Sequence, residues 1–237
     1  MQPTYLPWAG YFNLMAQADV FIILDDVQFE RRSWQSRNRI LLNGQECWLT
    51  VPVHSQYGVE SISTIQLDNG QKWRKKHVQT ISQAYSKAPY SDCLIGLTEI
   101  LLNESLELLV DLNFQIIDWI STQLSLSPKI IRASEVGASG KRSQHLYNLC
   151  EACQCDEYIS PIGSQEYLIA DRVFEASSTR LIFQDYHPQP YPQLKTAHFV
   201  SHLSIVDVIA NLGWDQASEY VLTGKTENTS YAIRESF

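Results

Sequence analysis

The apolar positions of this chain change their spacing along its length, and the spacing predicts the local structure. A helix is predicted near the start, where apolar residues recur at helical spacing: Tyr11, Leu14, Met15 and Ala18. The apolar residues at 20–24 are consecutive, which is typical of a strand that is buried on both faces. The chain is therefore expected to open with a helix and a buried strand.

Strand and helix patterns alternate through the rest of the chain, which predicts an α/β fold. Strands are predicted over 46–53, 62–67, 129–133, 158–160 and 180–185. Helices are predicted over 71–87, 91–103, 105–124, 143–153 and from Ser204 to Gly213. Without repeats or an evident linker, the sequence predicts one domain over 1–237, with a candidate helical subdomain over about 68–127 and a polar tail over about 223–237.

Composition narrows the class of protein. The formal charge is −8, and this acidic balance argues against general binding to nucleic-acid backbones. The five cysteines are an odd number, which does not resemble a disulfide framework. Because no secretory signal and no apolar stretch of membrane-spanning length are visible, the sequence predicts a cytoplasmic protein.

Three cysteines lie close together near position 150, and their spacing raises the question of a metal site. Cys150, Cys153 and Cys155 lack a second ligand cluster of the kind that structural zinc sites use. Two of them share a helical stripe with leucines, in the order Leu146, Leu149, Cys150 and Cys153. This pattern favours a role in an apolar core, and no metal is predicted.

Two acidic residues, Asp25 and Asp26, come directly after the buried strand over 20–24. In open α/β sheets, ligands bind at the carboxyl edge of the strands. The pair therefore predicts a site at this edge, while the alternative is that both carboxylates only solvate a strand end. Each of His54, His187 and His198 can act as a general base, although a structural role is the alternative for each histidine.

Basic residues concentrate in two places in this acidic chain. The segment 28–40 holds four arginines and two aromatic residues: Arg31, Arg32, Arg37, Arg39, Phe29 and Trp34. Guanidinium groups bind phosphate or carboxylate at two points, so this segment is a candidate anion site or, alternatively, a solvated loop. The helix start at Lys72–Lys76 is also basic, and predicts either an acidic partner or a solvated face.

A series of motifs resembles the WbqC-like protein family over nearly the whole chain. The first is QPTYLPWAGYF at 2–12, and the next are ADVF at 18–21, DDVQF at 25–29 and WQSRN at 34–38. Further matches are LTVPV at 49–53, YSKAPY at 85–90, YIS at 158–160, YPQ at 191–193 and LSIVD at 203–207. The resemblance departs from the family pattern at two points: only Met1 precedes Gln2 where a first strand is implied, and Pro161 follows Ser160 where glycine is usual.

The resemblance implies a fold and a function. The start of the chain is similar to the start of nucleotidyltransferase-type folds, which implies an open, mainly parallel, Rossmann-like sheet with a helical insertion. Such enzymes use a pair of histidines at this point, and Ala9-Gly10-Tyr11 supplies none. The implied role is tailoring of O-antigen, another surface polysaccharide or a natural product, by acyl or aminoacyl transfer to an amino group such as that of a nucleotide-linked amino sugar. The alternatives are a nucleotide-dependent ligase or nucleotidyltransferase relative, and a non-catalytic module of a polysaccharide assembly complex.

This hypothesis assigns roles to ten residues that are expected to surround one cavity. Asp25 is the first candidate for the base or amine anchor, and His187 is the second. Donors to the developing oxyanion are expected from Gln2, Gln28 and Asn38. Arg32 and Arg37 are expected to hold phosphate or carboxylate, and the aromatic walls are Tyr5, Trp8 and Trp34. No cofactor is predicted beyond an acyl-thioester donor on CoA or on an acidic carrier protein, which the Lys72–Lys76 helix start would meet.

Overall fold

A computed structural model describes residues 1–54, 60–175 and 177–226 of the chain. The first half contains α1 Ala9–Ala16, β1 Val20–Ile23, β2 Arg37–Leu42, β3 Gln45–Thr50, β4 Val53–His54, β5 Gln66–Leu67, α2 Trp73–Tyr85 and α3 Ile95–Leu102. The second half contains α4 Leu109–Gln123, β6 Lys129–Arg132, α5 Ala133–Val136, α6 Arg142–Ala152, β7 Glu157–Ser160, α7 Gln165–Asp171, β8 Arg180–Phe183 and α8 Ile205–Thr223. Most of the predicted tail over 223–237 lies outside the described residues.

The strands pair two by two. β1 lies parallel to β6 and β7 lies parallel to β8, while β2–β3 and β4–β5 are antiparallel. The α/β class predicted from the sequence is confirmed. Within the described residues the strands form four two-stranded sheets and not one open sheet, so the nucleotidyltransferase-like core stays a prediction.

The first residue of the chain lies beside β1 with the geometry of a parallel strand. The backbone nitrogen of Met1 donates to the carbonyl of Ile22 at 2.6 Å, and the nitrogen of Leu24 donates to the carbonyl of Met1 at 2.9 Å. The Asp19 carbonyl instead accepts from Lys129 in β6. Because successive residues of a strand point their backbone groups to opposite edges, Met1 occupies the edge of β1 that β6 leaves open.

One hydrophobic core joins the N-terminal motif, the β2–β3 hairpin and the helices α2, α3, α4 and α8. Helix α4 is amphipathic and is predominantly buried along one face, with Leu112, Ile116 and Ile120 fully enclosed. The candidate helical subdomain over 68–127 therefore shares its core with the rest of the fold. Within the described residues, no helix combines the length and the apolar composition that a membrane crossing requires.

A second, smaller cluster contains part of the predicted cysteine stripe. Leu146 and Cys150 of α6 pack there with Leu168 and Phe174. Burial raises the pKa of the Cys150 thiol to about 12, so this side chain is a neutral, apolar packing group.

Two predicted elements differ from the structure. The segment predicted as a strand over 62–67 begins with a short 3-10 turn, Ile62–Thr64, which the Ser61 hydroxyl caps by accepting from the nitrogen of Ser63. The helix predicted from Ser204 to Gly213 is interrupted where it was predicted to end, since Gly213 has a non-helical backbone with φ at +74°, and a second helical segment then continues to Thr223. A side chain at this glycine would lie 2.7 Å from the ring of Tyr90, so glycine permits both the kink and the close contact.

Candidate functional site

The parallel strands β1 and β6 end at one edge, and two segments with polar side chains meet there. Asp25 and Asp26 follow β1, and Ser134 stands in α5, which follows β6. The last pair in the register, Ile23 with Arg132, places both strand ends side by side. The sequence predicted polar chemistry at this edge, and the contacts of the two acidic residues define what each can do.

Asp25 is fully buried, and both of its carboxylate oxygens accept hydrogen bonds from Ser134. The backbone nitrogen of Ser134 donates to Oδ1 at 2.9 Å, and its hydroxyl donates to Oδ2 at 2.7 Å. The backbone carbonyl of Asp25 also accepts from the Ser61 hydroxyl and the Ser63 nitrogen. This geometry fixes the start of α5 and the segment before β5 to the end of β1.

Asp26 forms a pair with His145, a residue that was absent from the predicted site. The His145 Nε2 atom lies 3.0 Å from Oδ2 and 3.2 Å from Oδ1 of Asp26. His145 is 7% exposed, and its Nδ1 atom is buried and has no hydrogen-bond partner among the described residues. When Nε2 carries the proton that Asp26 accepts, Nδ1 presents a lone pair, as a proton acceptor must.

The loop before α6 determines where His145 stands. Gly140 has φ at +124°, and a side chain there would lie 2.9 Å from the backbone nitrogen of His145. The Ser143 hydroxyl donates to Asp171 at 2.6 Å and ties the first turn of α6 to the end of α7. The amide of Asn148 donates to the Ser139 carbonyl and closes the loop. These contacts hold His145 against Asp26 from α6, not from a flexible segment.

His187, the second candidate for the base, lies on a different part of the fold. Its side chain is 82% exposed, and its Nε2 atom lies 2.7 Å from Asp185, two residues earlier in the segment after β8. The backbone around it packs against the end of α8, where Gln189 donates to the Gly224 carbonyl. At the edge that follows β1, the structure pairs Asp26 with the buried His145, whereas His187 is exposed elsewhere on the fold.

Three residues that were predicted to contact substrate form hydrogen bonds within the protein: Gln2, which is exposed, and Tyr5 and Asn38, which are buried. Gln2 accepts from the amide of Gln35 at 2.9 Å. The amide of buried Asn38 donates to the carbonyls of Tyr5 and Leu6, and the fully buried Tyr5 hydroxyl lies 2.8 Å from the His77 Nδ1 atom. These bonds fix the path of the first motif.

Gln28 and Arg32 occupy the segment between Asp26 and the hairpin. Gln28 forms an isolated antiparallel bridge with Ser61, whose hydroxyl also donates to the carbonyl of Asp25. Arg32 is exposed and has φ at +59°, in the left-handed region. Their predicted roles toward substrate stay predictions.

Aromatic and guanidinium groups line the outer face of the β2–β3 hairpin. Side chains alternate along β2, so Arg37 and Arg39 face outward while Asn38 faces the core. Arg39 stands opposite Trp48 in the register, and the guanidinium carbon of Arg37 lies 4.4 Å from the Trp48 ring centroid. Trp34 contacts the same indole, with ring centroids 5.5 Å apart.

The aromatic face continues from Arg39 to the first motif. The backbone carbonyl of Arg39 accepts from Ser204, which bridges to Trp8. The Trp8 ring stacks on His202 with centroids 4.6 Å apart. Burial and the positive charge of Arg39 lower the pKa of His202, so this imidazole is neutral at physiological pH. We call the face formed by Trp8, Trp34, Arg37, Arg39 and Trp48 the Trp–Arg surface.

The pattern of the WbqC-like protein family matches this chain over residues 2–219. The chain belongs to the WbqC-like protein family. It is also similar to Uncharacterized protein Rv1507c of Mycobacterium tuberculosis strain H37Rv, with 32% identity over 223 residues that cover 93% of this chain and 95% of that protein. No solved structure matches it significantly.

Two residues of this WbqC-like protein that matter for its candidate sites were absent from the predictions: His145 and Trp48. Two signals could have indicated them. The Asn43-Gly44 turn fixes the hairpin register and so places Trp48 beside the outward arginines. His145 lies in the first turn of the helix that follows a glycine-containing loop after β6, which is a common position for site residues in parallel α/β units.

Proposed function

We propose that this WbqC-like protein transfers an acyl or aminoacyl group to an amino group, such as that of a nucleotide-linked amino sugar, in the biosynthesis of a surface polysaccharide or natural product. The observation that carries the proposal is the Asp26–His145 pair at the carboxyl edge of β1. Transfer to an amine requires a proton acceptor, and a histidine paired with a carboxylate supplies one.

The chemistry assigned to the pair places the amine against the Nδ1 atom of His145. Because this atom is buried, substrate binding has to expose it before the amine can contact it. As the amine nitrogen attacks the carbonyl carbon of a thioester, the new C–N bond forms and Nδ1 accepts a proton from the nitrogen. The carboxylate of Asp26 stabilises the imidazolium that results. The C–S bond then breaks, and the proton passes to the leaving thiolate, so that an amide and a free thiol are the products.

Asp25 has a supporting position in this proposal. Both of its carboxylate oxygens accept from Ser134, so we assign it the task of holding the edge on which Asp26 stands. The donor is a thioester on CoA or on an acidic carrier protein. Exposed Lys72, Lys75 and Lys76 at the start of α2 offer a carrier three positive charges, whereas Arg74 is buried and serves the fold.

The test is an assay of amide formation by mass spectrometry. The purified chain is incubated with acetyl-CoA or with an aminoacyl thioester on a phosphopantetheinyl carrier, together with a UDP-linked amino sugar. We expect His145→Gln, which retains a donor toward Asp26 but loses the basic nitrogen, to lower the rate roughly 100-fold or more. His54→Gln is the matched control, because His54 is also near a carboxylate, Asp68, but is exposed.

Each other result has a definite meaning. Equal rates for His145→Gln and His54→Gln would remove His145 from the mechanism, and a selective loss in His187→Gln would move the role to that residue. Amide formation only from a free acid with ATP, accompanied by release of pyrophosphate, would establish the ligase alternative. No product from any donor would leave the proposal of acyl transfer without support and favour a binding module.

A further inference from the structure

We infer that the Trp–Arg surface binds a nucleoside diphosphate, with the base stacked on the exposed indole of Trp34 and the diphosphate held by Arg37 and Arg39. The inference deepens the proposed function, because it rests on a nucleotide-linked acceptor and gives the nucleotide part its binding site. It differs from the sequence prediction in one respect: the site is an outer face of the β2–β3 hairpin and not a cavity shared with Asp25, Gln28 and Asn38.

Two large aromatic side chains of this surface are exposed and contact each other. Trp34 is 46% exposed and Trp48 is 44% exposed, although indole rings bury more area than almost any other side chain when they pack. Contiguous exposed apolar surface on a soluble fold marks a binding site more often than isolated residues do. Arg37 covers one side of the Trp48 ring, and we therefore assign the base to the ring of Trp34, which is exposed to a similar extent.

The two arginines of this surface differ in their ionic partners. The Arg39 guanidinium donates to Glu46 at 2.7 Å and lies 5.5 Å from the Trp34 ring centroid, so one of its sides is already occupied. Arg37 lies over Trp48 and forms no ion pair with any described residue. Stacking on an indole leaves the in-plane N–H groups of a guanidinium directed away from the ring, where they can donate to phosphate oxygens at two points.

An exposed indole ring and guanidinium groups together match the two parts of a nucleotide. An indole face suits any planar base, and stacking of a base on an aromatic residue does not depend on which base it is. A diphosphate supplies the negatively charged partner that Arg37 lacks among the described residues. A nucleic acid is disfavoured because the chain carries a net charge of −8, whereas a single nucleotide contacts only this locally basic face.

Binding is measured by isothermal titration calorimetry on the whole chain with UDP, ADP, uridine and pyrophosphate as separate ligands. We expect UDP and ADP to bind with similar Kd values. Uridine and pyrophosphate, which represent the two parts of UDP, are expected to bind more weakly. Trp34→Ala is expected to raise the Kd for UDP roughly tenfold or more, and Arg37→Gln to remove the preference of the chain for UDP over uridine. Arg180→Gln is the control, since Arg180 is an exposed arginine on β8 with its own partner, Glu157.

Four outcomes would overturn the inference. These are the absence of UDP binding, equal binding of UDP and pyrophosphate, an unchanged Kd in both variants, and binding to anionic phosphatidylglycerol vesicles that UDP does not displace. Thermal melting of each variant excludes a failure to fold. Because the titration needs no turnover, acyl transfer to a simple amine without UDP binding would contradict this inference alone, and UDP binding without transfer would contradict only the proposed function.

Discussion

The hydroxyl of Tyr5 and the Nδ1 atom of His77 lie 2.8 Å apart in the interior, and this bond joins the first motif of the chain to helix α2. Both side chains are buried, and Trp73 packs against the imidazole with ring centroids 5.3 Å apart. Burial lowers the pKa of His77 to about 4 from an ordinary value of 6.5. The histidine is therefore a neutral hydrogen-bonding group in the folded protein.

His77 should make the stability of the fold depend on pH. Its pKa is lower in the folded state than in the unfolded state, so its contribution is complete above pH 6.5 and is lost as the pH falls toward about 4. The size of this loss is about 3 kcal/mol, from the difference of the two pKa values. Urea unfolding of the wild type between pH 4 and pH 7 should show it, and His77→Asn should show a smaller decrease.

His54→Asn is the control for the same titration, because His54 is exposed. Its unfolding free energy should fall with pH in parallel with that of the wild type. Parallel curves for the wild type and His77→Asn would mean that His77 is not neutral in the fold or that the variant has lost the fold at all pH values, and circular dichroism at pH 7 separates the two.

The sequence predicted which charged residues lie at strand ends more successfully than it predicted which side chains contact each other. Asp25 and Asp26 were placed at a strand end because a continuous apolar run ends there, and the parallel pair β1–β6 follows this expectation. Tyr5 and Asn38 were assigned to a pocket from their chemistry alone. Their partners come from residues 5 to 6 and from His77, and such contacts between distant segments are not encoded in local spacing.

The basic start of α2 gives a second example. Cations are unfavourable at a helix N-terminus, so Lys72–Lys76 suggested either a docking face or a solvated one. Arg74 belongs to neither, because it is buried and donates to carbonyls from α3 and the loop before α4. Only the tertiary packing of α2 against α3 supplies those acceptors, so the sequence pattern could not separate this arginine from its neighbours.

Arg74 should therefore contribute more to stability than the lysines beside it. Its guanidinium donates to the carbonyls of Leu101 and Leu106 and to the side chain of Asn69. We expect Arg74→Met to lower the free energy of unfolding by about 3 kcal/mol, because two buried carbonyls lose a charged donor. Lys75→Met is the exposed control and should change it by less than about 0.5 kcal/mol. Equal losses in denaturant unfolding would contradict the assignment.

Asp207 should produce a pH dependence of the opposite sign. This buried carboxylate accepts from the hydroxyls of Tyr85 and Tyr191, at 3.0 and 2.7 Å, and from the amide of Gln193 at 3.0 Å. Burial raises its pKa above the ordinary value of 3.8, and the three donors only partly offset this effect. Its contribution to stability is therefore greatest below pH 3.8 and decreases as the pH rises through the raised pKa.

The variant Asp207→Asn isolates this dependence. The unfolding free energy of the wild type minus that of the variant should become more negative as the pH rises from about 3.5 to 7, because only the wild type must bury a charge. Asp185→Asn changes an exposed carboxylate and should show no such trend. A difference that is constant with pH would show that the carboxyl does not titrate differently in the fold.

Asp25 and Ser134 provide a test that separates a positioning role from a catalytic one. If the carboxylate holds the start of α5, Asp25→Asn and Ser134→Ala should each lower the free energy of unfolding by about 1–3 kcal/mol. The double variant should lose less than the sum, with a coupling energy of about 1 kcal/mol or more, because both changes remove the same hydrogen bonds. Urea unfolding of the four proteins gives this energy.

In the acyl-transfer assay, a positioning role predicts that the two single variants lose activity to a similar extent. Loss of turnover in Asp25→Asn with full activity in Ser134→Ala would instead make Asp25 the base, as the sequence first suggested.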